Sequence, residues 1–279
     1  MRIQILACSL ALSTLLPLQN MHAQAVYPAI SYSYADLADL TVSAPVVASA
    51  RIREAIRLKG EQAVSVPAGR ARFYVTADVT ALIRGAGGLS TQVSYVVDMP
   101  LDSRGKAPKL RKAQVLLLGR RVPDRAAELQ LVAPDAQLAW TAELETRLRS
   151  VVQAASTPDA PPAITRVGSA FHVPGNLPGE GETQIFLITA NNLPVSLSIL
   201  RRPGQQRTWA VALGEIVDEA AGPPQRDTLL WYRLACGLPR ALPEEALRDA
   251  DAIAATAARE DYRFVLDQLG ACTRNRGQG

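Results

Sequence analysis

Three groups of residues in this 279-residue chain have types and spacing suited to chemistry. The first is a run of cations. Arg104, Lys106, Lys109, Arg111 and Lys112 are followed by Arg120 and Arg121, with no acid between Ser103 and Arg121, and Arg125 lies just beyond. On a surface hairpin such a run predicts a positive patch that contacts an anionic partner: lipid headgroups, an envelope polymer or a protein. The bland reading is a solvated surface. Aromatic residues for base stacking are not interleaved with these cations, which disfavours nucleic acid.

The second is His172, the only histidine outside the first 25 residues, which are expected to be removed. A zinc site with several His ligands is therefore excluded. A hydrolytic triad needs His172 together with a nucleophile such as Ser169 and an orienting carboxylate, for which Glu180, Glu182, Asp218 and Asp227 are the nearby choices. No Gly-x-Ser-x-Gly elbow is present. The bland reading is a loop histidine bonded to backbone, and a hydrolase using His172 with these carboxylates is the alternative function. Glu180, Glu182, Glu215, Asp218 and Glu219 supply enough carboxylates for glycoside cleavage, but sequence does not give their separation in space. Gly85–Thr91 lacks a phosphate-reaching lysine, and Gly175–Gly181 carries the acidic Glu180, so both read as turns and no cofactor is implied.

The third is the pair Cys236 and Cys272, which sit 36 residues apart with no Cys-x-x-Cys spacing. Whether they crosslink depends on where the chain resides, and the N-terminus speaks to that. Met1-Arg2 supplies a positive charge, Ile3–Leu18 is mostly apolar, and Ala23-Gln24-Ala25 places small residues around Gln24. This pattern predicts a secretory signal peptide over residues 1–25, cleaved before Val26. The apolar stretch falls short of the ~20 residues that span hydrocarbon, and no later segment looks able to do so. The mature chain is expected to be soluble, periplasmic or secreted. It keeps 29 basic and 26 acidic residues, Arg2 being the only charge removed. That small excess does not itself imply a polyanion.

In an oxidising compartment Cys236 and Cys272 are expected to form a disulfide. Closing the 36-residue interval stabilises the fold by roughly 4 kcal/mol in the chain-entropy view. Geometry constrains the interval. An unbroken helix from Glu244 to Leu269 would be ~39 Å long, whereas bonded cysteines need Cα atoms within ~7 Å. The chain must double back, and Arg259-Glu260-Asp261 is the expected bend, with Asp261 capping a second helix of a helical hairpin.

The elements that position these groups follow from periodicity. Arg70–Leu82 alternates apolar and polar residues with period two, the mark of a strand with one wet face. Val46–Leu58, Thr91–Met99, Ala113–Leu118 and Glu128–Val132 are further strands. A helix is expected over Tyr32–Leu40, and another over Thr141–Ala155 with Thr141 as N-cap. Five strands followed by a helix predict a small antiparallel β barrel or sandwich, OB-like being one form. Proline-rich residues 157–163 form the expected linker between a β-rich domain over 26–156 and an α+β domain over 164–279. In the second half Ile164–Val167 reads as extended. Gln184–Ala190, Val195–Leu200 and Thr208–Leu213 read as hairpin strands, Asp227 as the cap of a helix ending at Gly237, and Pro243-Glu244-Glu245 as the start of another.

Gly214-Glu215-Ile216-Val217-Asp218-Glu219-Ala220-Ala221-Gly222-Pro223-Pro224, then Arg226–Leu234, together with Phe171-His172-Val173-Pro174-Gly175, resembles exported proteins of unassigned function from high-GC proteobacteria. The resemblance covers most of the mature chain and implies location, but no activity and no catalytic residue. Taken together, the expectation is an exported α+β protein, a non-enzymatic envelope or binding protein that touches something anionic through a basic hairpin.

Overall fold

The computed structural model describes residues 31–214 and 222–276. The expected signal peptide, and Glu215, Asp218 and Glu219, lie outside the described residues.

The barrel half begins with α1 (Tyr34–Ser43). Its N-terminus is fixed by a capping box in which Ser33 and Asp36 satisfy each other's backbone N–H groups. Six strands follow: β1 (Val46–Arg57), β2 (Arg70–Arg84), β3 (Gln92–Pro100), β4 (Gln114–Val122), β5 (Arg125–Leu131) and the short β6 (Gln137–Ala139). Five of them close a ring, β1-β2-β3-β5-β4, with β4 returning to β1. Neighbours are antiparallel except β3 and β5, which run parallel. The result is a closed five-stranded barrel, which decides between the barrel and the sandwich that the strand pattern left open. Closure requires β1 to pair on both edges, and β1 is bent by three register shifts along β2, after Val47, Ser49 and Ile52. Val75, Ala77, Val93, Val97, Leu116 and Leu118 fill the core. The helix α2 (Ala142–Ala154) adds Leu144, Leu148, Val151 and Val152, and Thr141 caps it by accepting the N–H of Leu144.

Beyond residues 157–163 a second core forms around the antiparallel meander β7 (Ile164–Pro174), β8 (Gly181–Thr189), β9 (Val195–Arg201) and β10 (Thr208–Ala212). One face presents Ile185, Leu187, Leu197, Ile199 and Trp209 to α3 (Leu229–Gly237), a 3-10 turn at Glu244–Leu247, and α4 (Ala252–Leu269). No helix among the described residues is long and apolar enough to cross a membrane.

Three expectations are corrected. β7 extends to Pro174 because two bulges let it follow β8 for its full length. The cap of α3 is Thr228, whose hydroxyl accepts the N–H of Trp231, while Asp227 occupies the left-handed turn before it at φ 59°. The chain doubles back ahead of Asp251, which caps α4, and α4 then runs unbroken through Arg259-Glu260-Asp261. The expected hairpin of two arms split at that triplet is absent because Asp261 is wholly buried mid-helix, not capping an end. The crosslink itself is present: Cys236 and Cys272 are bonded with Cα atoms 5.2 Å apart.

Candidate anion-binding groove

The cationic segment connects β3 to β4. Those strands are not neighbours, because β5 pairs between them. The segment is therefore a crossover connection and not the tip of a hairpin, and its route determines what it can line. The last β1–β4 pair is Arg51 with Gln114. One further rung extends it: Ile52 N–H donates to Ala113 O and Lys112 N–H donates to Ile52 O. Lys112 makes this rung from the left-handed region, φ 70°, a conformation that costs a non-glycine residue about 1–3 kcal/mol.

Past that rung β1 and the connection diverge. Between them lies a groove of about 730 Å³, lined by Arg53, Glu54, Ala55 and Phe73 on one wall and Pro108, Lys109, Leu110 and Arg111 on the other. Phe73 and Leu110 are buried beneath it and belong to the barrel core. Lys109 and Arg111 are exposed and form no ion pair among the described residues. Arg53 is engaged by Asp78, with Nε 3.2 Å from Oδ2 and Nη2 3.2 Å from Oδ1. Glu54 is the single acid of the lining.

The remaining cations are distributed differently. Arg104 and Lys106 lie on an exposed turn organised by Asp102, whose Oδ1 accepts their backbone N–H groups at 2.9 and 2.8 Å. Arg120 and Arg121 sit towards the far end of β4, about 20 Å or more from Gln114, its first residue, at the rise of a strand. The run is thus split into two separate groups by the strand it flanks. Arg125, at the start of β5, is paired with Glu128 at 3.1 Å. Arg53, Glu54, Ala55 and Phe73 were not anticipated as part of a site. One signal was available: apolar residues at Ala48, Ala50 and Ile52 are followed by Ala55, a spacing of three that marks the bulge at Arg53.

His172 is in β7, directly opposite Thr183 of β8. Its Nδ1 is 2.8 Å from Thr183 Oγ1, and that hydroxyl donates to Asp261 Oδ2 at 2.5 Å. Asp261 also accepts Arg201 Nε on both oxygens at 2.9 Å, and Arg207 Nη1 stands 3.4 Å away. Because Thr183 gives its proton to the carboxylate, its oxygen receives one from His172, which fixes the Nδ1–H tautomer of a neutral ring. Burial, followed by the positive Arg201, holds His172 below its ordinary pKa, and Asp261 opposes them without prevailing. The ring packs on Gly181, where a Cβ would lie 2.7 Å from Nε2.

This network ties β7, β8 and β9 to α4. It does not assemble the hydrolytic constellation. Ser169 is paired opposite the exposed Phe186 and lies three residues from His172 on an unbulged stretch of β7, hence on the other face of the sheet. Glu180 Oε2 accepts the N–H groups of Asn176 and Leu177 within its own loop, and Glu182 accepts Gln184 Nε2. The residues that do meet His172, namely Thr183, Arg201 and Asp261, are distant in sequence and were not anticipated. Among the described residues no cluster of three or more His, Cys, Asp or Glu is placed to hold a metal.

No protein-family model matches the chain, and no curated protein matches it either.

Proposed function

We propose that this is an exported, non-enzymatic binding protein that contacts an anionic partner through the segment Arg104–Lys112. The observation that carries this reading is the pair Lys109 and Arg111, which line a groove of about 730 Å³, form no ion pair among the described residues, and outnumber Glu54, the single acid of the lining. Two unpaired cations beside apolar surface keep a localised positive potential that an anion relieves. Arg104 and Lys106, on the adjoining turn, extend the same field. The reading of residues 1–25 as a signal peptide and the formed Cys236–Cys272 crosslink support a periplasmic or secreted location.

Charge reversal tests it. The triple variant Lys109→Glu, Arg111→Glu, Lys112→Glu touches only exposed side chains and is expected to fold. It should leave the envelope fraction that retains the wild-type protein, and lose most of its retention on an anionic matrix at low salt. Unchanged partitioning of the folded variant would refute the reading.

A further inference from the structure

Beyond Ile52 the strand β1 is paired on one side only. Its register with β2 shows which backbone groups that leaves unpaired. Leu58 N–H donates to Arg72 O, so Leu58 and Arg72 form a hydrogen-bonded pair. Hydrogen-bonded and non-hydrogen-bonded pairs alternate along an antiparallel ladder. Arg57–Phe73 is therefore non-hydrogen-bonded, Ile56–Tyr74 hydrogen-bonded, and Ala55–Val75 non-hydrogen-bonded. The N–H and C=O groups of Ala55 and Arg57 point away from β2, and no described strand pairs with them. Ala55 is part of the groove wall. The groove is thus a bare strand edge facing a cationic loop.

We propose that the partner is a polypeptide, and that an acidic, extended segment of it adds to the barrel as a strand along Ala55–Arg57. This deepens, and rests on, the anion-binding reading. A bare edge gives main-chain hydrogen bonds to any extended chain, and side-chain pockets then select the sequence. Here the selection is by charge. Lys109 and Arg111, two residues apart, face the incoming strand across the groove, and Arg57 extends the positive rim along β1 itself. Neutral and basic strands gain the backbone bonds but leave these charges uncompensated, so an incoming segment with acids at alternate positions is favoured over them. Glu54, the single acid of the lining, offsets one of these charges, and Lys109, Arg111 and Arg57 together leave the rim net positive.

The experiment uses the full chain with two peptides of equal charge, four Glu-Thr repeats and four Glu-Pro repeats, both acetylated and amidated. The second resists ladder pairing, because each proline fixes φ near about −65° and biases the repeat towards polyproline II instead of strand geometry. The Glu-Thr peptide is expected to bind about tenfold or more tightly than the Glu-Pro peptide, and to slow amide hydrogen exchange at Ala55 and Arg57 by a similar factor. Equal binding of both peptides, or binding without protection of those two amides, refutes strand addition while leaving anion binding intact. Binding of dextran sulfate or of phosphatidylglycerol vesicles with neither peptide bound refutes a polypeptide partner in the same way. No binding of any of these anions overturns both readings.

Discussion

Replacing Asp261 by Ala removes the carboxylate on which the His172–Thr183 chain and the Arg201 guanidinium both end. Asp261 is fully buried, whereas the Arg201 side chain retains 19% exposure and a second contact to Glu260 at 3.2 Å. Breaking a buried pair from one side costs about 3–5 kcal/mol, mostly as an uncompensated charge. Partial exposure and the Glu260 contact place this case at the lower end, about 3 kcal/mol. The orphaned Thr183 hydroxyl contributes about 1 kcal/mol of that loss. Urea denaturation followed by the fluorescence of Trp209 and Trp231, both in the C-terminal core, reads the change. With a slope of about 3 kcal/mol/M, the midpoint falls by about 1 M. Arg201→Met completes a double-mutant cycle. Once Asp261 is gone, removing the stranded cation costs little, so the double variant should be less destabilised than the sum of the singles by about 1.5 kcal/mol or more. A loss below about 1 kcal/mol for Asp261→Ala, or strict additivity of the cycle, would refute the assignment of Asp261 as the buried anchor of this network.

Two other outcomes are expected. Substituting both Cys236 and Cys272 by Ser should lower stability by about 4 kcal/mol through the freed 36-residue interval, with reduction of the wild-type protein giving a matching shift in urea midpoint; a loss under 1 kcal/mol would contradict it. The lowered pKa of His172 gives stability that is full above the unfolded value near 6.5 and is lost as pH falls from there through the folded value, because the unfolded chain takes up the proton first. Urea midpoints measured between pH 7.5 and 5 should therefore decline in the wild type and decline less in His172→Gln; parallel pH profiles would show that His172 is not the group involved.

What was legible in the sequence was local. The alternation from Ala71 to Ala81 places one face of β2 in the barrel, and Thr141 marks the start of α2 because a hydroxyl there meets the N–H of Leu144. The order β1-β2-β3-β5-β4 is set by which edges find one another in space, and nothing in a strand's own pattern encodes that. Asp261 shows how a local rule misleads. An acid amid apolar residues reads as a helix start, since a lone buried carboxylate is prohibitive. The partner that makes burial tolerable, Arg201, is 60 residues earlier on another element. A geometric reading nevertheless contained the clue: Ala258, Asp261, Tyr262, Val265 and Leu269 recur at helical spacing, so Asp261 sits within the buried stripe. Lys109 and Arg111 were visible as cations, but the wall opposite them, Arg53 to Ala55, comes from a strand more than 50 residues away in the chain.

The two cores are joined through α1. Asp36, fully buried, serves its own helix cap and also accepts the backbone N–H groups of Asn275 and Arg276 at 3.0 and 3.1 Å. Asp39, one turn on, accepts Arg274 and the hydroxyl of Tyr232; burial pushes its pKa up, but these two donors outweigh it and hold the carboxyl below its usual range. Tyr34 meets Trp231 edge to face, and Arg276 reaches Asp135 at 2.8 Å. Ion pairs of this exposure are individually weak, and ordering a chain terminus opposes them. The crosslink changes that balance. Cys272 lies two residues before Arg274, so its bond to Cys236 keeps the tail beside α3 and within reach of α1, which raises the effective concentration of every tail contact. The disulfide therefore acts at the joint between the cores. The groove walls, by contrast, come entirely from β1, β2 and the β3–β4 connection of the barrel half. The binding surface and the crosslinked joint are built from different parts of the chain, and loss of one leaves the residues of the other in place.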